Sequence, residues 1–391
     1  MTRTRTKILV LVTHYLPGYK AGGPIRTISN LVDHLGDEFD FRILTSDRDA
    51  TDIKPYPSIE VGTWQSVGKA QVCYLPPQIF KNPFLICKYI RGTDHNLVYL
   101  NSYFATQTVI YLLLRFFRLI HQTPLIVAPR GEFSTGAIAI KSLKKQIYIT
   151  LAKFLRLYDS VLWQASSIYE QNDIKAVYPG AEVHIALNLL PHHYASSQES
   201  RYKEVGSAKI VFLSRITPKK NLHMALEILS LVKAQVTLDI FGTIRDQEYW
   251  KLCKDLIEKM PENVTVTYKD EITHDQVIST LSQYHLFFLP TLGENFGHAI
   301  IEAFNAGCLV LISDQTPWRD LENQGVGWDV ALERTDEFAN IIHEIADMDN
   351  AVFQESSQRA RVFGQSLLRS KNDIEANQNL FYLALNKGVN R

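Results

Sequence analysis

Short apolar runs alternate with helix-period stretches along nearly the whole chain, and this alternation restricts the possible fold most. Ile8–Val12, Phe41–Thr45, Leu97–Asn101, Leu125–Pro129, Val161–Gln164 and Val183–Leu190 carry a buried-strand pattern. The stretch leading to Leu35, then Thr106–Ile120, Lys141–Tyr158 and Ile168–Tyr178, repeat their apolar residues at the helical period. A second series opens at Lys209–Leu213 and continues with Val236–Phe241, Val264–Tyr268, His285–Pro290 and Leu309–Ser313. Its helical patterns are Leu222–Val232, Asp246–Glu258, Ala299–Ala306 and Phe338–Ala346. Strands and helices in alternation make mainly parallel sheets with helices on their faces, so the chain reads as α/β in two similar halves. Asp47–Ser66 reads as loop-rich, and Ala360–Leu385 as one long helical stretch.

A length of 391 residues suits two domains with substantial cores. Ser196–Gly206 is polar, with three serines, and marks the boundary. The expected division is residues 1–195, 207–365, and a C-terminal helix over 366–391. Lys plus Arg equals Asp plus Glu at 41 each, so no overall field points to nucleic acid. Four scattered cysteines, Cys73, Cys87, Cys253 and Cys308, have no metal-like spacing and read as reduced thiols of a cytoplasmic protein. The basic start before Ile8–Val12 is followed too soon by His14 and a glycine loop to read as a signal peptide. The most apolar region, Thr108–Ile120, is interrupted by Arg115 and Arg118, so no membrane span is expected.

The chemistry concentrates after the apolar run His285–Pro290. A glycine-bearing loop there carries Glu294, and the following helix carries Glu302 about two turns, roughly 10 Å, further on. The backbone N–H groups of Asn295, Phe296 and Gly297 are expected at the helix N-terminus, where an anion is favoured. A diphosphate there, with a carboxylate for hydroxyls on either side, has the shape of a nucleotide sugar. Arg215 and Lys220, five residues apart in the loop after Lys209–Leu213, suit the same diphosphate, with Lys219 beside them. In the first half Gly22 and Gly23 follow the first strand and allow close approach of a ligand to the backbone. Ligands of parallel sheets gather at the carboxyl ends of strands, which makes His14, Asn101 and Arg130 cleft residues. For Arg130 a phosphate or acceptor contact and a structural salt bridge are both open. Asp47 and Asp49 read as solvated residues of a polar loop, and no metal is expected.

The segment from Gly293 to Gly307, followed by Val310–Asp314 and Thr316-Pro-Trp318, closely resembles the donor-site signature of family 4 glycosyltransferases. The resemblance is strong from Lys209 to Trp318 and looser before it. It implies the GT-B fold: two Rossmann-like domains facing across a cleft, with a C-terminal helix crossing back to the first. It also implies a retaining transfer of sugar from a nucleoside-diphosphate sugar, UDP- or GDP-type, to a hydroxyl acceptor, without a cofactor. Glu294 then binds sugar hydroxyls, Glu302 the ribose, and Arg215 with Lys220 the leaving diphosphate. The Gly22-Gly23 loop would lie against donor phosphate and sugar, and the donor phosphate itself would receive the acceptor proton. Relatives often place a histidine near Asn101, but this chain has Tyr99 and Asn101, so no catalytic histidine is assigned. Lys269–Ile272 departs from the usual glycine near Asp270, which leaves the nucleobase open.

Lys141–Tyr158 interleaves Lys141, Lys144, Lys145, Lys153 and Arg156 with apolar residues at the helical period. One reading is a solvated face over a buried stripe. The other is a helix lying on the anionic inner face of the cell membrane, near a lipid-linked glycan acceptor such as many relatives use. A non-catalytic nucleotide-sugar-binding module, an epimerase and a phosphorylase are the rival functions. The joint presence of both carboxylates and both cations disfavours the module.

Overall fold

The computed structural model describes residues 5–139, 142–194, 201–368 and 370–389. Two compact units divide the chain. One takes residues 1–190 together with 370–391, and the other takes 191–369.

The first unit is built on β1 (Thr6–Leu11), β2 (Phe39–Ser46), β3 (Trp64–Val67), β4 (Ala70–Leu75), β5 (Leu97–Asn101), β6 (Leu125–Ala128), β7 (Leu162–Ala165) and β8 (Glu182–Ile185). They form one sheet in the order β3-β4-β2-β1-β5-β6-β7-β8. Every pairing is parallel except β3 with β4. That pair is a hairpin whose first strand begins at the end of the stretch read as loop-rich, and it turns at Gly68 with φ 57°. The helices are α1 (Gly23–Leu35), α2 (Pro77–Lys81), α3 (Pro83–Gly92), α4 (Thr106–Phe116), α5 (Thr135–Ala139), α6 (Ser142–Phe154) and α7 (Ile168–Val177). Ile8, Leu9, Val10 and Leu11 are all fully buried, as expected where helices cover both faces of a sheet.

The second unit has β9 (Ser207–Leu213), β10 (Gln235–Phe241), β11 (Val264–Tyr268), β12 (Leu286–Leu289), β13 (Leu309–Ser313) and β14 (Gly327–Val330). The sheet order is β11-β10-β9-β12-β13-β14, parallel throughout. Its helices are α8 (Leu222–Ser230), α9 (Gln247–Ile257), α10 (His274–Leu281), α11 (His298–Asn305), α12 (Thr335–Asp347) and α13 (Asn350–Leu367). Order 3-2-1-4-5-6 puts the switch between β9 and β12, and the loops after these two strands are where a ligand is expected.

The stretch Ala360–Leu385 is not one helix. α13 stops at Leu367, and α14 (Lys371–Val389) starts after Ser370, whose Oγ accepts from Asp373 N–H at 3.4 Å. A serine at that place favours a new helix start over continuation. α14 packs on the first sheet: Phe381 lies 5.3 Å from the Phe39 ring and 5.5 Å from Tyr99. Gln378 and Tyr382 both donate to the Glu38 carboxylate.

Of the polar boundary, Ser196–Ser200 lies outside the described residues. The part after it is strapped to the second unit. Arg201 donates to Ser282 O (2.7 Å) and Ala306 O (3.2 Å), and the buried Lys203 ammonium donates to Ala346 O (2.7 Å). His285 is buried beside this strap. Its Nδ1 accepts from Lys209 N–H (3.0 Å), so the proton sits on Nε2 and points to Tyr202 O (3.2 Å). Burial lowers its pKa to about 4, and the cations of Arg201, Lys203 and Lys209 act in the same direction. A histidine held neutral in the fold costs nothing above pH 6.5. It penalises the fold progressively as pH falls toward 4, by about 3 kcal/mol at the end of that window. His285→Asn keeps an acceptor for Lys209 and should flatten this acid limb in thermal melts from pH 7 to 4. An unchanged slope in the variant contradicts the assignment.

Candidate functional site

In the second unit three strand-end loops are laced together. β9 runs into Ser214–Asn221, where Asn221 adopts φ 61° and donates through Nδ2 to Pro290 O at 2.9 Å. Lys219 O receives Leu292 N–H (2.9 Å) and Thr291 Oγ (3.1 Å), which ties the loop after β9 to the loop after β12. The loop after β13 is joined to the same strap by Ser313 Oγ donating to Thr291 O and by Glu294 N–H donating to Gln315 O at 2.9 Å. The result brings together two residues 74 apart in sequence: Lys220 Nζ pairs with Glu294 Oε1. Both side chains are nearly buried, at 10% and 12% exposed. Burial pushes the Lys220 ammonium below its ordinary pKa and Arg215 adds to this, while Glu294 opposes it. Arg215 itself is exposed.

Gly242, after β10, has φ 137°, and a methyl group there would stand 1.9 Å from Ser214 O. Only glycine lets that chain pass against the Arg215 loop.

The helix start differs from the sequence pattern. α11 begins at His298 with Gly297 (φ 79°) as its cap, so Asn295 and Phe296 stand in the loop before it. Phe296 contributes its carbonyl inward, accepting from Trp318 Nε1–H at 2.6 Å, and its ring packs 4.9 Å from His298. Glu302, on α11, is fully buried, with His274 Nδ1 at the start of α10 lying 3.6 Å from its Oε1.

In the first unit Gly22 (φ 70°) caps α1, and Gly23 is its first residue. The Asp47–Asp49 segment is not solvated as expected. Both carboxylates are buried, and Asp49 Oδ2 accepts from Tyr19 N–H (2.6 Å) and Lys20 N–H (3.0 Å), shaping the approach to that glycine loop. His14 Nδ1 lies 3.2 Å from Arg48 O on the same loop.

Arg130 (φ 60°) reaches Asn101 Oδ1 through Nε (3.1 Å) and Nη2 (2.8 Å), Asn188 Oδ1 through Nη1, and Tyr99 OH. These partners are neutral oxygens, not the carboxylate of a salt bridge. Tyr99 donates on to Gln164, and Gln164 Nε2 donates to Ala186 O (2.8 Å) and Asn377 Oδ1 (3.4 Å). The turn after Arg130 is held by two further carboxylates that no motif singled out. Glu170 accepts from Gly131 N–H (2.6 Å), and Glu132 accepts from Ser102 Oγ (2.7 Å) and Phe104 N–H (3.0 Å). Burial raises the Glu132 pKa against the pull of those donors. Among the described residues no group of three His, Cys, Asp or Glu side chains is placed to hold a metal.

Solved structures with this architecture run the length of the chain. Sucrose-phosphate synthase from Thermosynechococcus elongatus superposes with a TM-score of 0.71 at 15% identity, over 97% of this chain and 99% of that one. Anabaena Alr3699/HepE, in complex with UDP and glucose, gives 0.69 at 17% identity, over 97% and 99%. WaaG, a glycosyltransferase involved in lipopolysaccharide biosynthesis, gives 0.67 at 13%, over 95% and 98%. The fold is that of the GT-B glycosyltransferases.

Residues 196–362, nearly all of the second unit, match the family model described as Glycosyl transferases group 1. A curated relative from Caenorhabditis elegans, a GDP-Man:Man(3)GlcNAc(2)-PP-Dol alpha-1,2-mannosyltransferase, is 27% identical over 159 residues. That stretch is 38% of this chain and spans a third (33%) of the relative's own length.

Proposed function

We propose that the protein is a retaining glycosyltransferase that moves a sugar from a UDP- or GDP-type nucleotide sugar to a hydroxyl acceptor. The observation that carries this reading is the junction of the Arg215–Lys220 loop with the Glu294 loop, two chain segments joined through Lys219 O and the Lys220–Glu294 pair. A buried ammonium and an exposed guanidinium on one loop suit a diphosphate whose charge grows as the glycosidic bond breaks. Glu294 keeps Lys220 charged in a dry site and takes hydroxyls of the transferred sugar, and Glu302 takes the ribose diol. The acceptor oxygen bonds to the anomeric carbon as the bond to phosphate breaks, and its proton passes to the departing phosphate. Arg215 and Lys220 supply the electrostatic work that a metal would otherwise do. Gly22, Gly23, His14 and the Asn101–Arg130 corner serve the phosphate and acceptor side.

A lipid-linked or polysaccharide acceptor fits the likeness to the mannosyltransferase relative and to WaaG. It also fits α6, where Leu143, Ile147, Leu151 and Phe154 recur on one face and are each more than half exposed, beside Lys144 and Lys153. Such a helix suits the surface of an anionic membrane. Lys141 of that basic stretch lies outside the described residues, and no described helix is long and apolar enough to cross a membrane.

Calorimetric titration with UDP and GDP tests the donor assignment. One nucleotide should bind clearly better than the other. Glu302→Ala should weaken it about tenfold or more, the size of a lost charged hydrogen bond. Equal binding by wild type and variant contradicts the ribose role of Glu302.

A further inference from the structure

A cavity of about 750 Å³ lies wholly within the first unit, at the edge of its sheet opposite Asn101 and Arg130. Leu125 of β6, Leu162 of β7 and Glu182 of β8 line it, and each is the first residue of its strand. Asn101 and Arg130 stand at or just past the other ends of β5 and β6. In a parallel sheet those two ends are opposite edges, separated here by roughly 10 Å of strand. The cavity's size falls within the usual range for small-molecule sites.

Its lining is unbalanced in charge. Arg115, Lys153, Arg156 and Lys387 face Asp159 and Glu182, leaving two positive charges in excess. The carboxylates are already engaged, Asp159 with Arg156 and Glu182 with Lys387. These two pairs lie at the exposed rim of the cavity. Arg115, buried, donates to Thr123 O and reaches Ser160 Oγ at 3.5 Å. Lys153 Nζ sits 5.2 Å from the centre of the Tyr178 ring. Behind it Trp163 lies 5.1 Å from both Tyr158 and Tyr178, so the cavity has an aromatic wall as well as a cationic one. Arg115 and Lys153 face the hollow with no carboxylate partner among the described ion pairs, which favours an anion there, and an aromatic face beside them suits the apolar face of a sugar or glycerol unit.

We propose that this cavity is a second binding site, for a phosphate ester, separate from the donor site. The donor loops contribute nothing to it, so it stands whether or not the transferase reading holds. Two sources share that chemistry: a soluble phosphorylated sugar or polyol, and the headgroup of a phospholipid. The second fits the place of Lys153, which is next in sequence to the exposed Phe154 of α6.

Gly180 offers a clean way to close the site. It lines the cavity, and a Cβ built on it meets nothing within 4 Å, so Gly180→Glu should fold normally while adding a negative charge to the cavity wall. The full chain, Gly180→Glu and Lys153→Ala are titrated with glycerol 3-phosphate. They are also sedimented with phosphatidylcholine vesicles with and without phosphatidic acid. The expected result is binding of glycerol 3-phosphate by the wild type, weakened about tenfold or more in both variants, a charge-assisted hydrogen bond's worth. Nucleotide binding by the second unit should be unchanged in both, which separates this site from the donor loops. Vesicle binding that requires phosphatidic acid and falls in Gly180→Glu, which leaves the α6 surface untouched, assigns a lipid source. Vesicle binding that ignores phosphatidic acid, with the glycerol 3-phosphate effect intact, assigns a soluble one. No binding of glycerol 3-phosphate, or equal binding by wild type and Gly180→Glu, overturns the proposal.

Discussion

Lys220→Met should lower stability by about 3–5 kcal/mol and slow donor turnover by roughly a hundredfold to a thousandfold. Both losses come from the same place. Lys220 and Glu294 are nearly buried and face each other, so removing the ammonium leaves a nearly buried carboxylate without the cation it pairs with. The double variant Lys220→Met/Glu294→Gln removes both charges and keeps the volume of each side chain. It should recover most of the lost stability, because an apolar or neutral pair in place of a buried ion pair is often as stable as the original. Turnover should stay lost, since a methionine offers nothing to a departing diphosphate. Thermal melts beside a nucleoside-diphosphate release assay separate the two effects. A double variant no more stable than Lys220→Met would mean that the pair is not coupled as the geometry shows. Regained turnover in the double variant would remove Lys220 from the chemistry.

The β12–loop–α11 segment was legible because its signals are local. The fully apolar run before Pro290, the glycines at 293 and 297 and the helical period after them all lie within about twenty residues. The partnership of Lys220 with Glu294 was legible only as shared chemistry, since nothing in a sequence reports that Lys219 O ties two loops. Arg130 shows the limit more sharply. Its spacing places it at a strand end, but its partners Tyr99, Asn101 and Asn188 come from two other segments, and Asn377 closes the network across 213 residues. Asp47 and Asp49 misled for a related reason. A polar stretch looks solvated until backbone N–H groups from another loop, Tyr19 and Lys20, are seen to need its oxygens. The hairpin at Gly68 was hidden by a short edge strand whose partly exposed residues carry little apolar signal. The break before α14 rests on one serine within a continuous helical period, which periodicity alone does not detect.

Glu294→Ala is the second large effect expected. The substitution removes the only acidic partner of Lys220 among the described ion pairs, and with it a contact proposed for the sugar hydroxyls. Removal of a contact that strengthens as positive charge develops on the sugar slows the reaction itself rather than only weakening binding, by about a hundredfold or more. A panel of UDP-, GDP-, ADP- and dTDP-sugars, scored by release of free nucleoside diphosphate from wild type and Glu294→Ala, tests this most directly. The account predicts slow release from one donor only, without acceptor, and its near-complete loss in the variant. Release from no donor together with no binding of any nucleotide, or equal release by wild type and Glu294→Ala, would contradict it.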